Sequence, residues 1–312
     1  MMREAIPVVV LGSAARRVLA DRGEGRVLAD FGRAFYLEGR GGLICLGPVC
    51  LGAGPLNLLC ANWRPGQVAP GMLARLSGAE IRLAGGAVFS LAGAMDWRPP
   101  RLPEWHVAHL RRGLAALAGA AARRAPRDGL GRLIPALVDG ERRAAADDTD
   151  SPLLRRAAAG ASALAGWLAR DAARPPPAQA RALIGLGPGL TPSGDDLIAG
   201  ALIALRTFLC PDAAEQLGAW ALPLAATRTG AISRAHLAAA AAGEGAEPLH
   251  RILAAICAAA EVDLERELDA ADRIGHCSGW DALAGVALAG AALAGKPPFS
   301  RPTINNLLGN DD

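Results

Sequence analysis

Ser193-Gly194-Asp195-Asp196-Leu197-Ile198-Ala199-Gly200 and Ser278-Gly279-Trp280-Asp281-Ala282-Leu283-Ala284-Gly285 repeat one pattern, Ser-Gly-x-Asp-x-[Ile/Leu]-Ala-Gly, at the head of two apolar runs. A Ser at the N-cap with an Asp at N3 is a capping box with Asp in place of Glu, so each copy predicts a helix start with Asp196 and Asp281 as caps. The first turn of a helix has N–H groups without intrahelical partners and a partial positive charge. Two such starts aimed into one hollow would bind a phosphate or carboxylate. The small Ala-Gly pair that closes each copy suits close approach of helix axes.

Working outward, the helical period runs through His106 to Arg124, Leu130 to Val138, Leu153 to Arg170, Leu197 to Leu209, Leu217 to Ala226, Ile232 to Ala242, Leu249 to Leu268 and Ala282 to Ala294. The stretches Glu141 to Asp150 and Arg174 to Pro177 read as exposed connectors. Residues 25–95 instead show short alternating or β-branched runs broken by Gly, Pro and Asn: Ala34 to Leu37, Leu43 to Leu46, Glu80 to Leu83 and Ala87 to Leu91. No helix-length segment separates them, which favours a small antiparallel barrel or sandwich over a parallel sheet. Met95 to Pro103 reads as the exit. The expected class is α+β, with a β-rich N-terminal domain over 1–103 and an α-helical domain over 104–312.

The 312 residues are 52% hydrophobic, enough to bury one large core or two ordinary ones. Basic and acidic residues nearly balance (33 and 30), and no basic run is interleaved with aromatics, which argues against nucleic acid as a partner. Lys296 is the only lysine, so anion binding falls to arginine and a lysine nucleophile is hard to stage. The six cysteines are scattered with no C-x-x-C, as expected of reduced thiols in a cytoplasmic protein. The apolar run from Ala282 to Gly295 is shorter than the roughly 20 residues a bilayer span needs. Pro7 and the Arg16-Arg17 pair argue against a signal peptide at the N-terminus.

Gly185-Leu186-Gly187-Pro188-Gly189-Leu190-Thr191-Pro192-Ser193-Gly194-Asp195-Asp196 is the densest chemical signal. Its glycines let backbone come close to a ligand, which makes Gly187, Gly189, Thr191 and Gly194 candidate phosphate contacts and Ser193 a candidate catalytic hydroxyl. It lacks the spacing of a dinucleotide fingerprint and the lysine of a P-loop, and a tight turn before a capped helix is the structural alternative. Asp195 and Asp196 favour the helix dipole without any ligand. If Asp195 faces a cavity, it holds a Mg²⁺, accepts a proton or orients an amide N–H. His276 precedes the second start and is a candidate acid–base group beside Ser278 and Gly279. Between the two starts, Arg228, Thr229 and Ser233 offer a guanidinium and hydroxyls of the kind carboxylates and phosphates prefer, and a capped, solvated turn is the alternative there.

The ordered set G-L-G-P-G-L-T-P-S-G-D-D, then Thr229, Ser233, Leu237, Ala240 and Gly243, then G-H-x-S-G-x-D-x-L-A-G closely resembles the AllH family of oxamate carbamoyltransferase subunits, over Arg181 to Leu288 and more loosely over Gly32 to Leu58. The resemblance implies transfer of a carbamoyl group between oxalurate and phosphate, giving oxamate and carbamoyl phosphate. It places the chain in anaerobic allantoin and purine breakdown, alongside two other subunit types. On that reading Gly187 to Gly194 and Ser193 meet phosphate, the Arg228 region and Ser278 meet the oxamate or oxalurate carboxylate, and His276 or Asp195 handles the proton. No cofactor is required, Mg²⁺ being the one ion the acids could carry. Two other readings stand beside it: a Mg²⁺-dependent phosphotransferase or ATP-using ligase, and a non-catalytic assembly or ligand-sensing subunit.

Overall fold

A computed structural model describes residues 5–102, 104–139, 151–170, 172–258 and 264–295. The N-terminal half forms β1 (Ile6–Gly12), α1 (Ser13–Ala20), β2 (Gly23–Asp30), β3 (Phe35–Gly39), β4 (Gly42–Pro48), β5 (Asn57–Cys60), β6 (Leu73–Leu76), β7 (Glu80–Leu83), β8 (Val88–Ser90) and β9 (Met95–Trp97). Neighbouring strands run β5-β4-β3-β2-β6-β7-β8-β1, and β1 also pairs with β5, so eight strands close into a barrel with β9 added outside on β1. Alternation fixes what faces in. Phe35 and Leu37 on β3, and Ile44 and Leu46 on β4, enter the barrel core with Leu58, Ile81 and Phe89. Tyr36 and Cys45, which pair across β3 and β4, lie between these inward positions.

The barrel is not purely antiparallel as expected, because β1–β8 and β4–β5 are parallel, as is the pairing of the added β9 with β1. Its closing strand β1 falls ahead of the stretch whose alternation was legible. Ile6, Val8 and Leu11 are buried, Val9 and Val10 are half-buried, and the register against β5 shifts between Val8 and Val10, so the period of two breaks in mid-strand. The supposed exit segment begins with β9.

The C-terminal half contains α2 (Val107–Arg124), α3 (Ile134–Asp139), α4 (Pro152–Arg170), α5 (Ser193–Thr207), α6 (Pro211–Arg228), α7 (Ala231–Ala241), α8 (Glu247–Cys257), α9 (Leu264–Ala271) and α10 (Ser278–Ala294). The expected helix Leu249 to Leu268 is two, α8 and α9, and the segment read as Leu130 to Val138 opens with a 3₁₀ turn before α3. The Glu141 to Asp150 connector lies outside the described residues. Helices α5 and α10 are the centre of this half: nearly every residue of both is buried, which is why neither shows an amphipathic stripe. Arg111 of α2 closes the far end of α10, its Nε donating to the Ala294 carbonyl at 3.1 Å.

Barrel and helices have separate apolar cores and meet through polar contacts. Arg17 of α1 forks onto Glu244 at 3.0 and 2.6 Å, the Glu247 N–H donates to the Ala53 carbonyl, and the Tyr36 hydroxyl lies 3.2 Å from His236 Nε2. Trp97 packs on the His250 ring, whose Nε2 accepts the Gly245 N–H. No helix among the described residues is long and apolar enough to cross a membrane.

Candidate functional site

The two Ser-Gly-x-Asp segments come together, and they do so reciprocally. Gly200 packs on the Ala282 carbonyl and Gly285 on the Leu197 carbonyl, two equivalent positions of the repeat, so α5 and α10 cross backbone to backbone near their N-terminal ends. A glycine precedes each Ser in left-handed backbone. Gly187 has φ +114° with a Cβ position 3.0 Å from Ser193 N, and Gly275 has φ +59° with one 3.1 Å from Ser278 Oγ.

The expected capping boxes are not formed. Pro192 and Cys277 occupy the N-caps, Ser193 and Ser278 are already helical, and neither end has a side-chain cap. Instead each Asp of the repeat lies near the serine of the opposite helix, where the Ser278 hydroxyl acts on the Asp196 carboxylate and the Ser193 hydroxyl on that of Asp281, each working against the upward push of burial. Thr191 Oγ1 lies 3.0 Å from Ser278 Oγ and completes the link. The crossing sets each acid against hydroxyls of the partner helix in a buried place where a local cap would leave those hydroxyls unused. The amides are also less free than expected, since Gly194 N–H donates to the Leu186 carbonyl and Gly279 N–H to that of Ile274.

Asp281 is held by the Leu130 N–H at 2.5 Å, and its carboxyl is pushed up to about 6, chiefly by burial. Asp196 lies well above the usual carboxylate range, again through burial, with Asp281 and Asp195 adding like charge. Of the two adjacent acids, Asp195 looked the freer from sequence, but it is the fully engaged one. Its Oδ1 accepts the Gly185 N–H at 2.8 Å and its Oδ2 the Ser233 hydroxyl at 2.7 Å. Asp196 Oδ2 and the Thr229 hydroxyl are buried with no partner.

Ser233 therefore joins Asp195 in the interior, on α7, while Arg228 is exposed and donates to the Arg181 carbonyl at 3.1 Å. Gly185 packs on the Arg228 backbone, so it is the main chain of this segment, not its guanidinium, that meets the Gly-rich loop. Gly189 and Leu190 at the loop tip are exposed. His276 stands at the surface, 3.7 Å from Asp128, and is not brought to Asp195. Trp280 of the second start is fixed by donating to Asp272 at 2.6 Å, and Asp272 is in turn held by Arg124.

The barrel supplies a part that the sequence did not announce. Burial raises the Tyr36 hydroxyl far above its usual range, with Cys45 and the Asp196 carboxylate adding to the effect, so this side chain lies in the field of the helix starts. Burial holds the Cys45 thiol up at about 12 and brings the His236 imidazole down to about 4, leaving both neutral at physiological pH. The one available signal was that Tyr36 is the only tyrosine of the chain and sits at an outward position of a strand. Among the described residues no three of His, Cys, Asp and Glu come together to hold a metal ion.

Fold and site define an α+β protein in which a closed β-barrel meets a buried carboxylate and hydroxyl cluster at the crossing of two helix starts. Residues 183–290, which carry that cluster apart from Tyr36 and Cys45, match the family described as oxamate carbamoyltransferase subunit AllH, as the resemblance of the motifs implied. No curated protein and no solved structure matches the chain.

Proposed function

We propose that the chain is a subunit of an oxamate carbamoyltransferase and carries a small-molecule site at the crossing of α5 and α10. The observation that carries this reading is the interlocked set of Ser193, Ser278, Asp196 and Asp281, which lies within the matched segment and leaves a buried carboxylate oxygen unsatisfied. Carbamoyl transfer between oxalurate and phosphate passes through a tetrahedral centre with developing negative charge. Fixed hydroxyl and amide donors stabilise such a centre without reorganising. Thr191, Ser193 and Ser278 supply hydroxyls, and the Gly187 to Thr191 backbone provides an exposed loop that can close on phosphate. Asp195 orients Ser233 and fixes Gly185, so it holds the loop in shape, and the buried Thr229 hydroxyl is a further donor. His276 stands at the rim, where it can exchange a proton with solvent.

The other subunit types complete the enzyme in this reading. The test is phosphorolysis of oxalurate by the reconstituted complex, followed as carbamoyl phosphate. Ser193→Ala combined with Asp195→Asn is expected to lower the rate by about tenfold or more with folding retained; an unchanged rate rejects the placement of the site in this loop.

A further inference from the structure

The unused hydrogen-bonding capacity of the cluster lies on Asp196. Both oxygens of Asp195 are occupied, whereas Asp196 is only 9% exposed and its Oδ2 has no partner. Buried polar atoms are almost always paired, and an orphan at a helix crossing marks a place where something else completes the bond. Beyond burial, the groups that act on Asp196 are the Ser278 and Thr191 hydroxyls and the Asp281 and Asp195 carboxylates, and from the barrel the Tyr36 hydroxyl lies in its field. These neighbours are hydroxyls and acids, not guanidiniums. A site of that composition refuses a second anion and suits a hydrogen-bond donor.

We infer that Asp196 Oδ2 receives an N–H of the ligand, so that the amide end of the substrate, not its anionic end, lies at the crossing of the helix starts beneath Tyr36. This rests on the carbamoyl-transfer reading and adds orientation and specificity to it. A primary amide is accepted because its N–H meets the orphaned Oδ2, whereas the matching carboxylate has an oxygen in place of the NH₂ group and brings that atom no donor.

Isothermal titration of the full chain with oxamate, oxalate and N,N-dimethyloxamate tests it, the last keeping the carboxylate and carbonyl but having no N–H. The wild-type chain is expected to bind oxamate about tenfold or more tightly than either analogue. Asp196→Asn and Asp196→Ala, with folding checked by thermal melts, are expected to lose the preference. The comparison of the three ligands on the wild-type chain does not depend on either variant folding. Oxalate binding as tightly as oxamate to the wild-type chain, or the preference surviving in a folded variant, overturns the role of Asp196 and leaves the carbamoyl-transfer reading standing. Binding of none of the three overturns both.

Discussion

Gly200 and Gly285 are exchanged partners in a single helix crossing: a Cβ on Gly200 would overlap the Ala282 carbonyl oxygen, and one on Gly285 would overlap that of Leu197 and come within 2.6 Å of Ala201 N. The obstructing atoms are backbone, which cannot rotate away. The two helices can approach to this distance only with glycine at both places, and that approach is what lets Asp196 and Asp281 reach the opposite serines.

Gly200→Ala or Gly285→Ala is therefore expected to cost roughly 3 kcal/mol or more, at the upper end of overpacking substitutions or beyond, because relief requires moving a whole helix. Urea unfolding of each variant measures it. A loss under about 1 kcal/mol in both would show that the crossing is looser than described.

Asp195 and Ser233 form a buried pair, 38 residues apart in sequence and closed at 2.7 Å. Ser233→Ala leaves Asp195 Oδ2 without its donor and is expected to cost about 1–3 kcal/mol, while Asp195→Asn sets an amide against two donors and costs a similar amount. In a double-mutant cycle the two effects are expected to be coupled by about 1 kcal/mol or more, and simple additivity would contradict the shared bond.

The Asp281 carboxyl, raised by burial to about 6, gives a pH signature. Its folded value exceeds its unfolded one, so its contribution to stability is present below the unfolded value and is lost as pH rises through about 6. Two desolvated histidines act oppositely: His236 and His250 are lowered to about 4, and the stability they contribute is lost as pH falls from their ordinary range toward that value. The wild-type curve is a sum of opposing slopes, and the informative quantity is a difference. Asp281→Asn is expected to gain stability relative to wild type as pH rises from 4 to 7, read from melting temperatures of both proteins across that range. A constant difference would mean that Asp281 is not perturbed.

Tyr36→Phe removes the hydroxyl 3.2 Å from His236 and with it one of the few bonds between barrel and helices. The expected cost is about 1 kcal/mol by chemical denaturation. If Tyr36 closes the site, oxamate binding weakens as well, whereas a purely structural bond would leave the affinity unchanged.

Much of this was legible before the structure. The Ser-Gly-x-Asp repeats marked two helix starts, the switch from period two to period 3.6 marked the change from strands to helices, and Ala-Gly pairs marked close packing. What the pattern could not carry was the exchange of neighbours, since a capping box is defined within one helix and the structure sets Asp196 and Asp281 each against the serine of the other helix. Strand β1 was missed because the register shift between Val8 and Val10 breaks its alternation in the middle. Tyr36 was missed because an outward residue on an alternating strand looks like ordinary surface until the helices are placed against it. The apparent freedom of Asp195 misled for the same reason: Ser233 and Gly185 are brought to it only by the fold.

The central claim is that the ligand lies where the two helix starts meet the barrel, and a crystal structure of the chain soaked with oxamate tests it most directly. The account predicts density for one molecule with its amide nitrogen at hydrogen-bonding distance from Asp196 Oδ2, bounded by Thr191, Ser278 and Tyr36. Density confined to another place, such as the 680 Å³ cleft lined by Arg123, Arg127 and Arg132, would contradict it.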